Sequence, residues 1–193
     1  MSLAPWRSPL AGALHRNRDL AYSRYLQLAT VLADGRPANR TVVFRGFLED
    51  TDRLKFVIDA RSQKVEQILH QPWAEACWYF PETREQFRLA GGLRLVKADY
   101  PDTTLQQARQ TTWQELSDAA RLQFTWPDSG KPRADAAAFE LPPPDRNEPL
   151  PHFCLLLLEP MQVDHLELRG EPQNRSIYWR NSNQAWSLQA INP

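Results

Sequence analysis

Cationic and small polar side chains meet at two places in the first third of the chain. Arg40 and Arg45 bracket the run Thr41-Val42-Val43-Phe44, and Ser62-Gln63-Lys64 follows Phe56-Val57-Ile58. Guanidinium, ammonium and hydroxyl donors together hold a phosphate or a similar anion through charge-assisted hydrogen bonds. A helix that starts at Ser62 would add free N–H groups and its dipole. Phosphate loops built from glycine are excluded, because no G-x-G-x-x-G or G-x-x-x-x-G-K occurs and the chain has only 7 glycines. Any phosphate must be held by side chains. Parity works against the pair on an extended strand: residues five apart point to opposite faces unless a bulge or bend intervenes. The competing reading is that each arginine is a solvated charge at a strand end.

The chain that positions these residues has 193 of them, with 23 Lys+Arg against 23 Asp+Glu and so no formal net charge. That balance argues against nucleic-acid binding, which needs a basic footprint, and against docking on anionic lipid. Hydrophobic residues are 42% and charged ones 24%, and a chain of this length buries roughly 70% of its unfolded surface. One domain over 1–193 is expected, with a helical and proline-rich insertion at about 101–151. The longest apolar run, Phe153 to Leu158, is far short of a membrane span. Arg7, Arg16, Arg18 and Asp19 stand where a signal sequence would be apolar, which predicts a cytoplasmic protein. Cys77 and Cys154 lie in apolar runs and are expected as buried thiols, with no disulfide and no metal site.

Alternation and turn residues predict about eight or nine short strands. A surface helix precedes them within Pro5 to Asp19. Strands are expected over Tyr22–Leu32 and Thr41–Phe47, joined at Asp34-Gly35, then over Leu54–Ile58. Ser62 is expected to cap a two-turn helix that ends at Gln71-Pro72. Ala74–Phe80 and Gln86–Val96 follow, the second kinked at Gly91-Gly92. Two helices lie between Thr104 and Thr125, Ser117 capping the second, and Trp126–Pro151 is an extended proline-rich loop. Strands return at Phe153–Leu158, Val163–Leu168, Ile177–Trp179 and Trp186–Ile191. The fold class is mainly β with flanking helices, an antiparallel barrel. Most of the 7 tryptophans fit its core. Trp126, at the junction of helix and loop, is the one placed to cover a pocket.

The stretch Asn39-Arg40-Thr41-Val42-Val43-Phe44-Arg45, followed by Phe56 to Lys64, then Trp78-Tyr79-Phe80 and Gln86 to Gly91, resembles the FMN-binding split β-barrel of the pyridoxamine 5'-phosphate oxidase family. With Gln27 to Val31 and the turn Asp34-Gly35-Arg36-Pro37, it is most similar to the oxidase-related subfamily common in cyanobacteria. The resemblance implies FMN as cofactor. It implies that Arg40, Arg45, Ser62 and Lys64 hold the phosphate, with Arg45 in place of the usual Lys and Gln63 in place of the usual Arg. Thr41, Val42 and Val43 belong to the same cofactor-binding stretch. Val57 and Ile58, where the family usually has Tyr-Thr, would meet the ring with backbone groups, and Gln86 would bond its pyrimidine edge. Arg175 matches the last flavin-contacting arginine, and Trp126 lies where related proteins reach across a dimer.

By the same resemblance the protein is a homodimer with flavin at the subunit interface, transferring hydride from a small organic substrate to the flavin, with O₂ able to reoxidise it and no protein acid or base required. Glu171 and Gln173 stand where the oxidases carry an Arg and a His for the vitamin phosphate, and His165 stands at a flavin-stacking Trp. A carboxylate at a phosphate site repels its ligand, which weighs against turnover of pyridoxamine phosphate itself. The alternative is a module that holds FMN, F420 or a tetrapyrrole without turnover.

Overall fold

Leu54-Lys55-Phe56-Val57-Ile58-Asp59 alternates in burial from one residue to the next, as a strand with one face on a core must. In a computed structural model that describes residues 3–193, this segment is β3 of eight strands. The others are β1 (Tyr25–Val31), β2 (Pro37–Val43), β4 (Trp73–Phe80), β5 (Glu85–Val96), β6 (Phe153–Glu167), β7 (Asn174–Arg180) and β8 (Trp186–Ile191). The helices are α1 (Arg7–Arg16), α2 (Lys64–His70), α3 (Thr103–Glu115) and α4 (Asp118–Leu122), with 3₁₀ turns at Gln123–Thr125 and Ala136–Phe139.

All the pairings are antiparallel, in the order β2-β1-β4-β5-β6-β7-β8, with β3 on β6. The ring closes just beyond β2, where the Arg45 N–H donates to the Lys55 carbonyl at 2.9 Å and the Lys55 N–H to Gly46 at 2.8 Å. Gly46, at φ +98°, supplies the backbone reversal of this corner. The second strand therefore ends at Val43 rather than at Phe47, and the chain bends between the two arginines.

The largest correction to the sequence reading is β6. Two strands were expected on either side of Glu159-Pro160, but one strand of 15 residues runs through them. Its first part pairs with β3, its last part with β7, and β5 lies along almost all of it. Register slips between Ala90 and Gly91, and Pro160 falls at that irregularity, where a missing N–H costs no ladder bond. Gly91 is required there: a Cβ would lie 2.0 Å from the Glu159 carbonyl oxygen.

Inside the barrel are Leu26, Leu28, Phe56, Trp78, Phe80, Phe87 and Leu156, joined by Leu10 and Ala13 of α1 and by Trp6 just before it. A separate cluster of Trp113, Leu116, Phe124 and Phe153 joins the inserted helices to the start of β6. Arg109 of α3 staples it, Nε donating to the Phe153 carbonyl at 2.9 Å and Nη2 to Leu150 at 2.8 Å. Ser117 caps α4 as expected. Cys154 is buried, Cys77 half-buried, and both are free thiols.

Candidate functional site

β2, the end of β3, the start of α2 and the segment 120–139 enclose a cavity of about 690 Å³. Ten of the thirteen residues singled out in the sequence line it. Thr41, Val42 and Val43 form one side, Val57 and Ile58 the floor, and Arg40, Arg45, Ser62, Lys64 and Trp126 the rim and far wall. The bend after Val43 brings Arg40 and Arg45 to one cavity despite their parity.

Arg40 is fixed before any ligand arrives. Its Nη1 donates to the Leu28 carbonyl at 3.1 Å and to Thr30 Oγ1 at 2.6 Å, and its Nη2 to Gln67 Oε1 at 2.8 Å. Thr30 in turn donates to Gln67 Oε1 at 2.7 Å, so a buried pair from β1 and α2 aims the guanidinium. Lys64 has no hydrogen-bond or ion-pair partner among the described residues. Burial, and after it the charge of Arg40, lowers its pKa against a smaller opposing pull from Asp59. Burial likewise lowers the pKa of Arg45, whose Nε is enclosed with no hydrogen-bond partner. These are cations held at a cost, the arrangement an incoming anion relieves.

Ser62 does not cap α2. Its hydroxyl donates to the Asp59 carbonyl at 2.8 Å, and Gln63 takes the capping position without a side-chain bond. The helix is only 7 residues long, so anion binding here rests on side chains rather than on a dipole. Gln63 lies just outside the main cavity, in a side recess of about 240 Å³ that it shares with Arg40, Ser62 and Lys64.

Arg61, which the sequence reading passed over, organises the opposite wall. Its Nη2 donates to Asp59 Oδ2 at 2.6 Å and to the Phe124 carbonyl at 3.1 Å, and its Nη1 donates to the Trp126 carbonyl at 3.0 Å and to Asp128 Oδ1 at 3.1 Å. Burial alone would raise the pKa of Asp59, but the bonds from Arg61 prevail and lower it. His152 adds a bond from Nε2 to the Phe124 carbonyl at 2.6 Å, so it is a packing residue. Trp126 is thus clamped at its backbone, its ring edge-on to Phe139 at 5.9 Å and its Nε1 enclosed without a partner. Lys131 and Arg133 also face the cavity. The signal for them was a Lys-Pro-Arg in a loop otherwise read only for its prolines.

Gln86 and Arg175 lie elsewhere. Both stand opposite Leu166, on β5 and β7, and so form one row across the sheet. Arg175 grips Asp164 with two bonds of 3.0 and 2.7 Å. His165 points the other way, into the barrel, stacked on Phe87 at 4.0 Å with its Nε2 2.9 Å from Glu85 Oε2. It is buried and cannot stack on a ligand at that row.

A phosphate-sized cationic end, an apolar floor and an aromatic wall describe a site for a phosphorylated planar ligand. Residues 3–97 match the family described as pyridoxamine 5'-phosphate oxidase, FMN-binding domain. The pyridoxine/pyridoxamine 5'-phosphate oxidase 2 of Arabidopsis thaliana is 39% identical over 197 residues, covering 99% of this chain and 98% of that protein. The chain belongs to the pyridoxamine 5'-phosphate oxidase-related FMN-binding family. A pyridoxamine 5'-phosphate oxidase-related, FMN binding protein of Nostoc punctiforme is 68% identical, with a TM-score of 0.98 over 100% of both chains. PhzG of Burkholderia lata, solved with tetrahydrophenazine-1-carboxylic acid, shares the fold at 21% identity, with a TM-score of 0.75 over 97% of this chain and 90% of its own. The barrel is accordingly the split barrel of this family, whose cofactor is FMN. No helix among the described residues is long and apolar enough to cross a membrane.

Proposed function

We propose that the protein is an FMN-dependent oxidoreductase acting on a small organic substrate in the cavity bounded by β2, β3 and the Trp126 wall. The observation that carries this is the unneutralised charge of the site. Arg40, Arg45 and Lys64 face the cavity with no carboxylate partner among the described residues, and the Nε of Arg45 is enclosed without an acceptor. In this reading Arg40, Ser62 and Lys64 hold the phosphate, Gln63 flanks it, and the ring lies over Val57 and Ile58 beside Thr41, Val42 and Val43. Bound FMN supplies a two-electron acceptor, and the chain's own part is to orient the donor and exclude water.

Gln86 and Arg175, remote from their own chain's cavity, serve the flavin of a second subunit. That placement supports a homodimer with the ligand at the interface. The free thiols accord with a reducing cytoplasm.

The test starts with the purified protein. It is expected to carry, or to take up stoichiometrically, a flavin spectrum, and to elute as a dimer in light-scattering chromatography. The bound flavin is then reduced without oxygen and mixed with candidate oxidants. Reoxidation faster than that of free FMN with at least one of them supports catalysis, and rates no faster than free FMN with all of them identify a carrier. Protein that takes up no FMN sinks both.

A further inference from the structure

The bonds that hold Arg40 leave one amide over. Arginine has five N–H donors and no acceptor, so each bond it makes demands an oxygen opposite it. Three of its donors are committed, to the Leu28 carbonyl, to Thr30 Oγ1 and to Gln67 Oε1. The Nε–H and one N–H of Nη2 remain for a ligand. Because Thr30 accepts from Arg40 at 2.6 Å, its own proton goes to Gln67 Oε1, 2.7 Å away. Two donors meeting on one oxygen settle which end of the Gln67 amide is the carbonyl. Nε2 is the other end, and neither of its N–H groups has an acceptor among the described residues.

That amide is no surface group. Gln67 is 7% exposed and Thr30 2%, and an unpaired amide on a side chain so buried calls for an acceptor. Gln67 stands three residues after Lys64 on α2, a spacing that puts both on one face of the helix. It lines the side recess of about 240 Å³ together with Arg40, Ser62 and Lys64. Gln67 also borders a recess of about 410 Å³ beside the β1–β2 turn, but Asp34 and Glu66 make that one unsuitable for an anion. Ser62 can give its proton to a phosphate only by releasing the Asp59 carbonyl. Gln67 has nothing to release. A neutral amide is also the fitting acceptor for Arg40: a carboxylate at this position would grip the guanidinium more tightly, but would cancel its charge and repel a dianion.

We propose that Gln67 is a further phosphate-binding residue, donating from Nε2 to the anion held by Arg40 and Lys64, and that Thr30 is the positioning residue that fixes its amide. This rests on the reading that the FMN phosphate occupies the Arg40–Lys64 end. One oxygen, Gln67 Oε1, then couples the aim of the guanidinium to that of the amide, and both are set before the ligand arrives.

The experiment follows the side-chain amide of Gln67 by nuclear magnetic resonance in the intact, isotope-labelled protein. FMN is titrated in one sample and riboflavin, which has the ring without the phosphate, in another. With FMN one Gln67 amide proton is expected to move downfield and to exchange more slowly with water, and with riboflavin to do neither. Quenching of flavin fluorescence then gives affinities for three variants. Gln67→Met should weaken FMN about tenfold or more and riboflavin by less than about twofold. Thr30→Val should weaken FMN about threefold or more, and Thr30→Ser, which keeps the hydroxyl, should stay within about twofold of the wild type. The proposal is overturned by an amide proton that ignores FMN or responds equally to riboflavin, a readout on the wild type that stands even if Gln67→Met does not fold. It is also overturned by equal losses for FMN and riboflavin in Gln67→Met, or by no loss at all. A Thr30→Ser loss as large as that of Thr30→Val makes Thr30 a packing residue and refutes its positioning role. Wild-type protein that binds no FMN removes the FMN reading, and this proposal with it.

Discussion

Replacing Lys64 by methionine removes a charge while keeping most of the volume of the stem, and it leaves no orphan behind. Lys64 bonds to no described residue, and burial and Arg40 both disfavour its charged form. The empty protein should therefore lose nothing by the change, with stability moving by less than about 0.5 kcal/mol. The complex with FMN should lose a charge-assisted contact, about 1.5–3 kcal/mol, or roughly 10- to 150-fold in Kd. Riboflavin has the same ring and side chain without the phosphate, and its affinity should stay within about twofold. Quenching of flavin fluorescence measures both constants, and thermal unfolding of the ligand-free protein measures the first. Equal losses for FMN and riboflavin would refute the phosphate role. So would a large fall in the melting temperature of the empty protein, since that would make Lys64 a structural residue.

The same residue sets a pH dependence. Its pKa is lowered in the empty site, and a phosphate raises it, so binding takes up a proton between the two values. FMN affinity should be level below that window and decline as pH climbs through it toward 10.5, the ordinary lysine value. The ratio of FMN to riboflavin affinity, measured from neutral pH upward, isolates this from ionisation of the ring, and a constant ratio contradicts it. Gly91→Ala should destabilise by about 2–4 kcal/mol, because backbone atoms of Glu159 and Pro160 already fill the position of the new methyl group. Chemical denaturation with a change under about 1 kcal/mol would show that the bulge yields. Arg109→Met should cost about 2–4 kcal/mol by leaving the carbonyls of Leu150 and Phe153 without their donor. A cost near zero in the same assay would mean that water replaces the guanidinium.

Strands were legible at Leu54–Ile58 and Ala74–Phe80, each within one residue of β3 and β4, because burial of one face imposes a period of two. β6 was misread because Glu159-Pro160 looks like a turn to any local rule. Only the bulge opposite Gly91, which depends on a strand some seventy residues away, makes proline tolerable there. The bend that unites Arg40 and Arg45 is set by pairing with Lys55, and so lies outside the pattern of either strand. Ser62 carried the signature of a cap but spends its hydroxyl on Asp59. Gln86 and Arg175 were found by sequence order, which does not tell which face of the sheet they occupy. Arg61, Lys131 and Arg133 were missed for a different reason. They act through contacts between a loop and a strand end, and such contacts have no period.

The late position of β6 also bears on how the molecule comes into being. Leu54 of β3 pairs with Leu158, so the two halves of this ladder are separated by more than half the chain and close only at a high entropic cost. On a ribosome, every cation of the cavity has been made before Phe153 appears, but Val57 and Ile58 have no strand beside them until β6 docks. A nascent chain that ends before β6 carries the charges of the pocket without its floor. The protein can therefore capture its cofactor only once β6 has been made and has docked.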